Sequence, residues 1–185
     1  MSDSRRFHSE EYIEAYRERG EFPRIHDDIG KVVEKYGKDY DRCIDLGACI
    51  GLLSARLAER CGKSLVVGVE ANENYLSRAI QHERIVYKHL AVTDDTLQAM
   101  GDIIREHDIK LIVARRVFSE IGKSVVTKLA SVFKENGVEM IILEGRVRVP
   151  NPTNELYDAD AEVNALRVEY KPIFAKKDCR VLVLR

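Results

Sequence analysis

Asp45-Leu46-Gly47-Ala48-Cys49-Ile50-Gly51 closes the short apolar run Cys43 to Leu46, and 19 residues beyond Gly51 stands Glu70, after Val66-Val67-Gly68-Val69. A short apolar run bounded by turn residues suits a buried parallel strand. Gly47 lets the chain turn sharply off the strand end, where a Cβ would obstruct the turn or a ligand. Gly51 lets the following helix pack closely on the sheet. That helix is predicted over 51–59, with Leu52, Leu53, Leu57 and Ala58 apolar, and Gly62 ends it. Val66 to Val69 forms the second strand. Glu70 then lies at its carboxyl end, where an acid can accept hydrogen bonds from both hydroxyls of a ribose. Strand, glycine loop, helix, strand and acid make half of a nucleotide-binding α/β fold.

The loop chemistry narrows the nucleotide. A dinucleotide site usually needs a middle glycine so that the backbone can reach the pyrophosphate. Here that place is held by Ala48 or Cys49. Asp45 also puts a negative charge where a pyrophosphate would be repelled. S-adenosylmethionine (SAM) has no phosphate, and its sulfonium and ammonium groups are helped by a nearby carboxylate. The pattern therefore favours SAM over a nicotinamide cofactor, with an empty Rossmann-like loop as the bland alternative.

The stretch 45–94 resembles the class I SAM-dependent methyltransferases, and among them the FkbM-type family. The residues that carry the likeness are Asp45-Leu46-Gly47-Ala48-Cys49-Ile50-Gly51, Glu70-Ala71-Asn72 and Ala91-Val92-Thr93-Asp94, in that order. The resemblance implies a cofactor site built from Asp45, Gly47, Ala48, Cys49, Gly51, Glu70, Ala71, Asn72, Ala91 and Val92. By the same resemblance, Gly47 and Ala48 line the methionine end of SAM, Glu70 holds the ribose, and Ala91 and Val92 lie near the adenine. FkbM-type proteins usually carry D-x-E-G at the end of the fourth strand. The corresponding Leu111-Ile112-Val113-Ala114-Arg115-Arg116 has no acid, and no N-P-P-Y-like segment is present. The resemblance thus extends to cofactor and fold and leaves the acceptor open.

Bulk properties set the frame. With 185 residues, the chain suits a single continuous core. Hydrophobic content of 45% beside 33% charged residues fits a water-soluble globular protein. A net charge of -1 gives no global pull toward nucleic acid or membrane. No apolar run approaches a membrane span, and Met1-Ser2-Asp3-Ser4-Arg5-Arg6 lacks the apolar core of a signal peptide. Cys43, Cys49, Cys61 and Cys179 show neither C-x-x-C pairing nor metal-ligand spacing, so reduced thiols, a cytoplasmic location and no metal are expected.

Two units are expected: a helical prelude over 1–38 and a SAM-binding methyltransferase domain over 39–185. In the prelude Ser9 can cap a first helix that carries Tyr12, Ile13 and Tyr16 and stops at Gly20. Asp27 or Asp28 can cap a second, with Ile29, Val32, Val33 and Tyr36 on one face and Gly37 at its end. Tyr12, Tyr16, Arg24 and His26 are candidates for the rim of an acceptor pocket. Packing for the tyrosines and capping for His26 are the plainer readings. Helices are predicted over 73–82, 96–107 and 124–134, and strands over 85–91, 111–114 and 138–143. The stretch 146–165, with Pro150 and Pro152, reads as a loop. Residues 166–174 and 180–184 pair as an antiparallel hairpin. The expected fold is α/β: a Rossmann-like, doubly wound, mostly parallel seven-stranded sheet ending in that hairpin.

Open α/β sheets bind ligands beyond the carboxyl ends of their strands. After the fourth strand come Arg115, Arg116, Ser119 and Glu120, and after the fifth Glu144, Arg146 and Arg148. One reading is an electropositive acceptor pocket for a carboxylate, phosphate or sugar acid, with Glu120 or Glu144 as general base. Arg115, Arg116, Glu120 and Glu144 are thus the candidate catalytic residues. The other reading is ordinary pairing of arginines with nearby acids. The expected activity is methyl transfer from SAM to an oxygen or nitrogen of a small or polar acceptor, which is anionic in the first of these readings. The alternatives are a non-catalytic SAM-binding module or partner subunit, and a nucleic-acid methyltransferase, which the balanced charge disfavours.

Overall fold

The structure is a computed structural model that describes residues 26–145 and 159–185. Helix α1 (Asp27–Tyr36) leads into β1 (Arg42–Leu46), α2 (Leu52–Glu59), β2 (Leu65–Glu70), the short α3 (Glu73–Leu76) and β3 (Ile85–His89). A 3-10 turn over Asp94–Thr96 precedes α4 (Leu97–Glu106) and β4 (Leu111–Arg115). Then come α5 (Phe118–Ile121), α6 (Lys123–Glu135), β5 (Met140–Glu144), α7 (Ala159–Leu166), β6 (Tyr170–Lys176) and β7 (Cys179–Leu184). The seven strands lie in the order β3-β2-β1-β4-β5-β7-β6. The first five are parallel, and β7 runs antiparallel to both β5 and β6. The order reverses between β1 and β4, the switch point where such sheets leave a crevice for ligands.

Side-chain alternation along the strands divides the core into two layers. Ile44, Leu46, Val67, Ile112, Ile141 and Leu143 meet Met100 and Ile104 of α4 and Leu129 and Phe133 of α6. Cys43, Val66, Leu111, Val113 and Ile142 meet Ile29 and Val33 of α1 and Leu53 and Leu57 of α2. The central strands are therefore covered on both sides, which is why they read as unbroken apolar runs. By the same alternation Asp45, Arg115 and Glu144 fall on the α1/α2 layer, all at the carboxyl edge.

Several local expectations change. The segment predicted as a helix over 73–82 is helical only to Leu76. The Ile80 N–H donates to the Ile50 carbonyl, and the Tyr87 hydroxyl donates to the Ile80 carbonyl, so tertiary bonds pull the chain out of the helix. Part of the predicted loop over 146–165 is helix α7. Its Ala159, Val163 and Leu166 are buried in the core, and that burial outweighs the prolines upstream. Leu166 therefore ends a helix, and β6 begins only at Tyr170. Neither Asp27 nor Asp28 caps α1. His26 occupies the cap position, while Asp27 pairs with Arg56 at 2.7 Å and Asp28 with Lys177 at 2.8 Å. The first predicted helix of the prelude, with Tyr12 and Tyr16, and the rim candidate Arg24 lie outside the described residues. Among the described residues no helix is long and apolar enough to cross a membrane.

Lys63 is the least expected core residue, at 1% exposure. Its ammonium donates to the carbonyls of Gly37 and Tyr40, tying the turn after α2 to the turn before β1. A buried charge of this kind persists only with such partners. Lys63→Met removes the donor and leaves two carbonyls without their partner. It should destabilise the fold by about 3 kcal/mol, read by urea denaturation. A loss below roughly 0.5 kcal/mol would show that water replaces the ammonium at no cost.

Candidate functional site

The loop after β1 is held in place by β2. The N–H groups of Gly47 and Ala48 both donate to the Val69 carbonyl, at 2.8 and 3.0 Å. Gly47, Cys49 and Gly51 all take positive φ, at 77°, 51° and 79°. Glycine enters that region freely, whereas for cysteine it costs about 1–2 kcal/mol. The Cys49 cost is offset where its N–H goes: it donates to Glu70 Oε2 at 2.8 Å. Space also requires the glycines. A Cβ on Gly47 would lie 2.8 Å from Val117 Cγ2, and one on Gly51 would lie 1.9 Å from the Tyr87 hydroxyl.

Glu70 is clamped from both sides. While Oε2 takes the Cys49 N–H, Oε1 accepts the Asn72 N–H at 2.9 Å. Each oxygen keeps a further lone pair, so the carboxylate is oriented without being used up. Asn72 in turn accepts the Asn74 N–H at 3.0 Å and caps α3. His89 Nε2 lies 2.9 Å from the Ala71 carbonyl and braces the same turn. Tyr75 and Ile50 are buried against each other with Cys49 and Leu52 around them. Burial pushes the Tyr75 phenol up to about 12, with Cys49 and Glu70 adding to it. Ala91 is exposed and Val92 partly buried after the end of β3; the Ala91 carbonyl accepts from the Thr96 hydroxyl at 2.5 Å. The expected cofactor residues Asp45, Gly47, Ala48, Cys49, Gly51, Glu70, Ala71 and Asn72 thus gather at the ends of β1 and β2. Ala91 and Val92 follow β3, one strand further out.

Three residues of this region had no signal in the motif. Ser54, on the inner face of α2, donates to Asp45 Oδ2 at 2.6 Å. Tyr87 lies over Gly68, where a Cβ would come within 2.6 Å of the ring. Val117 packs against the Gly47 turn. A buried serine among the leucines of an amphipathic helix is itself a readable sign. The tyrosine over a glycine depends on strand register and is not.

Asp45 is 1% exposed. Burial pushes its carboxyl up to about 7, Glu70 adds to the rise, and Ser54 and Arg115 oppose it. Desolvation outweighs the hydrogen bonding from Ser54 because that one residue does not replace the water shell of a charge removed from solvent.

Beyond β4 and β5 a second cluster forms. Arg115 and Glu144 are register partners. Arg115 Nε lies 3.1 Å and Arg116 Nε 3.5 Å from the same oxygen, Glu144 Oε1. The Arg116 N–H donates to the Glu144 carbonyl at 2.7 Å, and Arg116 takes φ 56°. Burial raises the Glu144 pKa, against the pull of both guanidinium groups. His26, at the start of α1, is lowered to about 3 by burial and then by Arg115, Arg56 and Arg116, with Asp27 opposing. Ser119 is buried, whereas Glu120 is exposed on α5. Arg146 and Arg148 lie outside the described residues.

No protein-family model matches the chain, and no curated protein sequence matches it. Solved structures do. DesVI of Streptomyces venezuelae superposes with a TM-score of 0.69 at 13% identity, over 96% of this chain and 98% of that one. The N-terminal domain of EvdMO1 with S-adenosylhomocysteine (SAH) bound gives 0.59 at 16% identity, over 86% of this chain and 80% of that one. Human N-acetylserotonin methyltransferase in complex with SAM gives 0.62 at 14% identity, over 95% of this chain and 59% of that one. The chain therefore has the class I methyltransferase fold.

Asp45 makes stability depend on pH in a definite direction. Between the unfolded carboxyl value near 4 and the folded value of about 7, the folded state holds a proton that the unfolded state lacks. Stability contributed by this group is present below pH 4 and lost as pH rises toward 7. Asp45→Asn keeps the shape and removes the titration. The variant should melt several degrees above the parent at pH 8, and the gap should narrow as pH falls and close near pH 4, measured by calorimetry. A gap independent of pH would remove Asp45 as its source.

Proposed function

We propose that the protein binds SAM across the ends of β1 and β2 and transfers its methyl group to an oxygen or nitrogen of a small or polar acceptor. The observation that carries the reading is the Glu70 carboxylate, fixed by the Cys49 and Asn72 N–H groups at the end of β2 with a lone pair free on each oxygen. Such a group suits two vicinal hydroxyls better than a phosphate, which it would repel. The SAM and SAH in the human N-acetylserotonin methyltransferase and EvdMO1 structures support the same cofactor here, since the fold is shared.

In this reading Glu70 holds the ribose, and Gly47 and Ala48 present backbone to the methionine end. Ala91 and Val92 flank the adenine, and Asp45 lies beneath the loop. The bound cofactor supplies a methyl carbon made electrophilic by its sulfonium. The chain's tasks are then to align the acceptor in line with that carbon, exclude water, and take up a proton where the acceptor releases one. Of the two carboxylates weighed as base, Glu120 is exposed, whereas Glu144 Oε1 is engaged by two arginines. Glu120 is therefore the better candidate for the proton, and Glu144 for positioning the arginines.

Calorimetry with SAM and SAH, followed by a tritiated-methyl screen over acceptor pools, tests the proposal. Binding without transfer to any pool would leave a cofactor-binding module. Glu70→Ala should weaken SAH about tenfold or more, the effect of losing hydrogen bonds to a charged acceptor. The same affinity in a folded Glu70→Ala protein would exclude Glu70 from the cofactor site.

A further inference from the structure

Resting on the methyl-transfer reading, we propose that Arg116 seats an anionic group, a carboxylate or a phosphate, carried by the methyl acceptor. The two neighbouring arginines differ in their surroundings. Arg115 follows the strand alternation into the α1/α2 layer, and its side chain is 18% exposed. Arg116 leaves the strand in a left-handed conformation, and its side chain is 39% exposed. The Arg116 Nε is buried 3.5 Å from Glu144 Oε1, in an ion pair without a hydrogen bond, so the exposure belongs further out. Among the described residues, its two terminal nitrogens make no hydrogen bond or ion pair of 3.5 Å or less. A guanidinium drawn inward at Nε by one carboxylate presents those two nitrogens as a fork, the arrangement that grips a carboxylate or phosphate bidentately.

The surroundings of the neighbouring charges point the same way. Arg56 is matched by Asp27 at 2.7 Å and Glu34 at 3.6 Å. Arg115 and Arg116 both lie beside Glu144 Oε1, whose ionisation burial already opposes. Of the two, Arg116 is the more exposed. Position supplies the link to the chemistry. Val117, the next residue, packs against the Gly47 turn. An anion on Arg116 therefore lies beside the end of the loop assigned to the methionine part of SAM. An ordinary solvated arginine would need neither the left-handed backbone, which is unfavourable for a side chain with a Cβ, nor a buried glutamate at its root.

His26 provides a readout that a merely structural arginine would not move. It feels Arg115 and Arg116 from β4, Arg56 from α2 and Asp27 from its own helix. An anion on Arg116 offsets part of the positive field and lets the imidazole protonate at higher pH.

The test uses the whole protein saturated with SAH, titrated separately with inorganic phosphate and with trifluoroacetate, a carboxylate that stays ionised where His26 titrates. The His26 imidazole is followed by NMR across pH and identified by its loss in His26→Asn. The expected result is that at least one anion binds and moves the His26 titration upward. Arg116→Gln should weaken that anion about tenfold while SAH binds as before. Arg116→Gly, which suits the backbone conformation, should do the same and covers the case in which Arg116→Gln does not fold. Preference for phosphate or for trifluoroacetate identifies the kind of anion. Anion binding unchanged in both variants, no binding of either anion by the parent, or an unmoved His26 at anion saturation overturns the proposal. Failure of SAH to bind would instead count against the methyl-transfer reading, and the same titrations without SAH still decide the role of Arg116.

Discussion

One carboxylate joins the two turns on which the site is built. Glu70 accepts the Cys49 N–H from the glycine loop and the Asn72 N–H from the turn that starts α3. Parallel strands end with backbone donors that no neighbouring strand can satisfy, and donors left unpaired there are costly. The Glu70 side chain satisfies two of them, and the Val69 carbonyl takes two more from Gly47 and Ala48. The left-handed Cys49 is tolerable only because this bond lies at its end. The conformation of the loop and the orientation of the acid are therefore one feature, and a change in either alters the other.

Next to it, the α1/α2 layer carries an unusual load of charge. Asp45, Arg115 and Glu144 share one face of adjacent strands, with His26 and Arg56 arriving from the helices. Burial wins at Asp45, although Ser54 and Arg115 oppose it. At Glu144 burial also raises the pKa, although two guanidinium groups pull against it. Neither arrangement is a cheap source of stability, because desolvating charges consumes much of what their attraction returns. Their concentration at the carboxyl edge, where the strand order reverses, instead agrees with a region shaped for ligands.

The superpositions cover nearly the whole of this chain and of DesVI at 13% identity, so the shared feature is the packing of strands and helices. Function belongs to the site set on such a scaffold. The acceptor side proposed here is built on Arg115-Arg116, where the FkbM-type pattern has an acid. The scaffold therefore carries less information about the acceptor than those two residues do.

The sequence alone determined the sheet and the cofactor loop, because both are written locally. Apolar runs at strand length, glycines at the turns and an acid near the end of each of the first two strands need no distant partner to be read. It also placed Glu70, Gly47 and Gly51. Only the tertiary structure decided where local preference and distant contacts disagree. Residues 77–82 have helical spacing, yet the Ile80 backbone bonds to Ile50 and Tyr87 instead. Ala159 to Leu166 follow two prolines, yet burial makes them a helix. The same holds for the chemistry. Arg115 and Arg116 are indistinguishable in the sequence. Strand alternation and one buried glutamate send the first into the layer beneath the site and leave the second facing outward. Ser54, Tyr87 and Val117 meet the loop only through register and crossover, which no local pattern records.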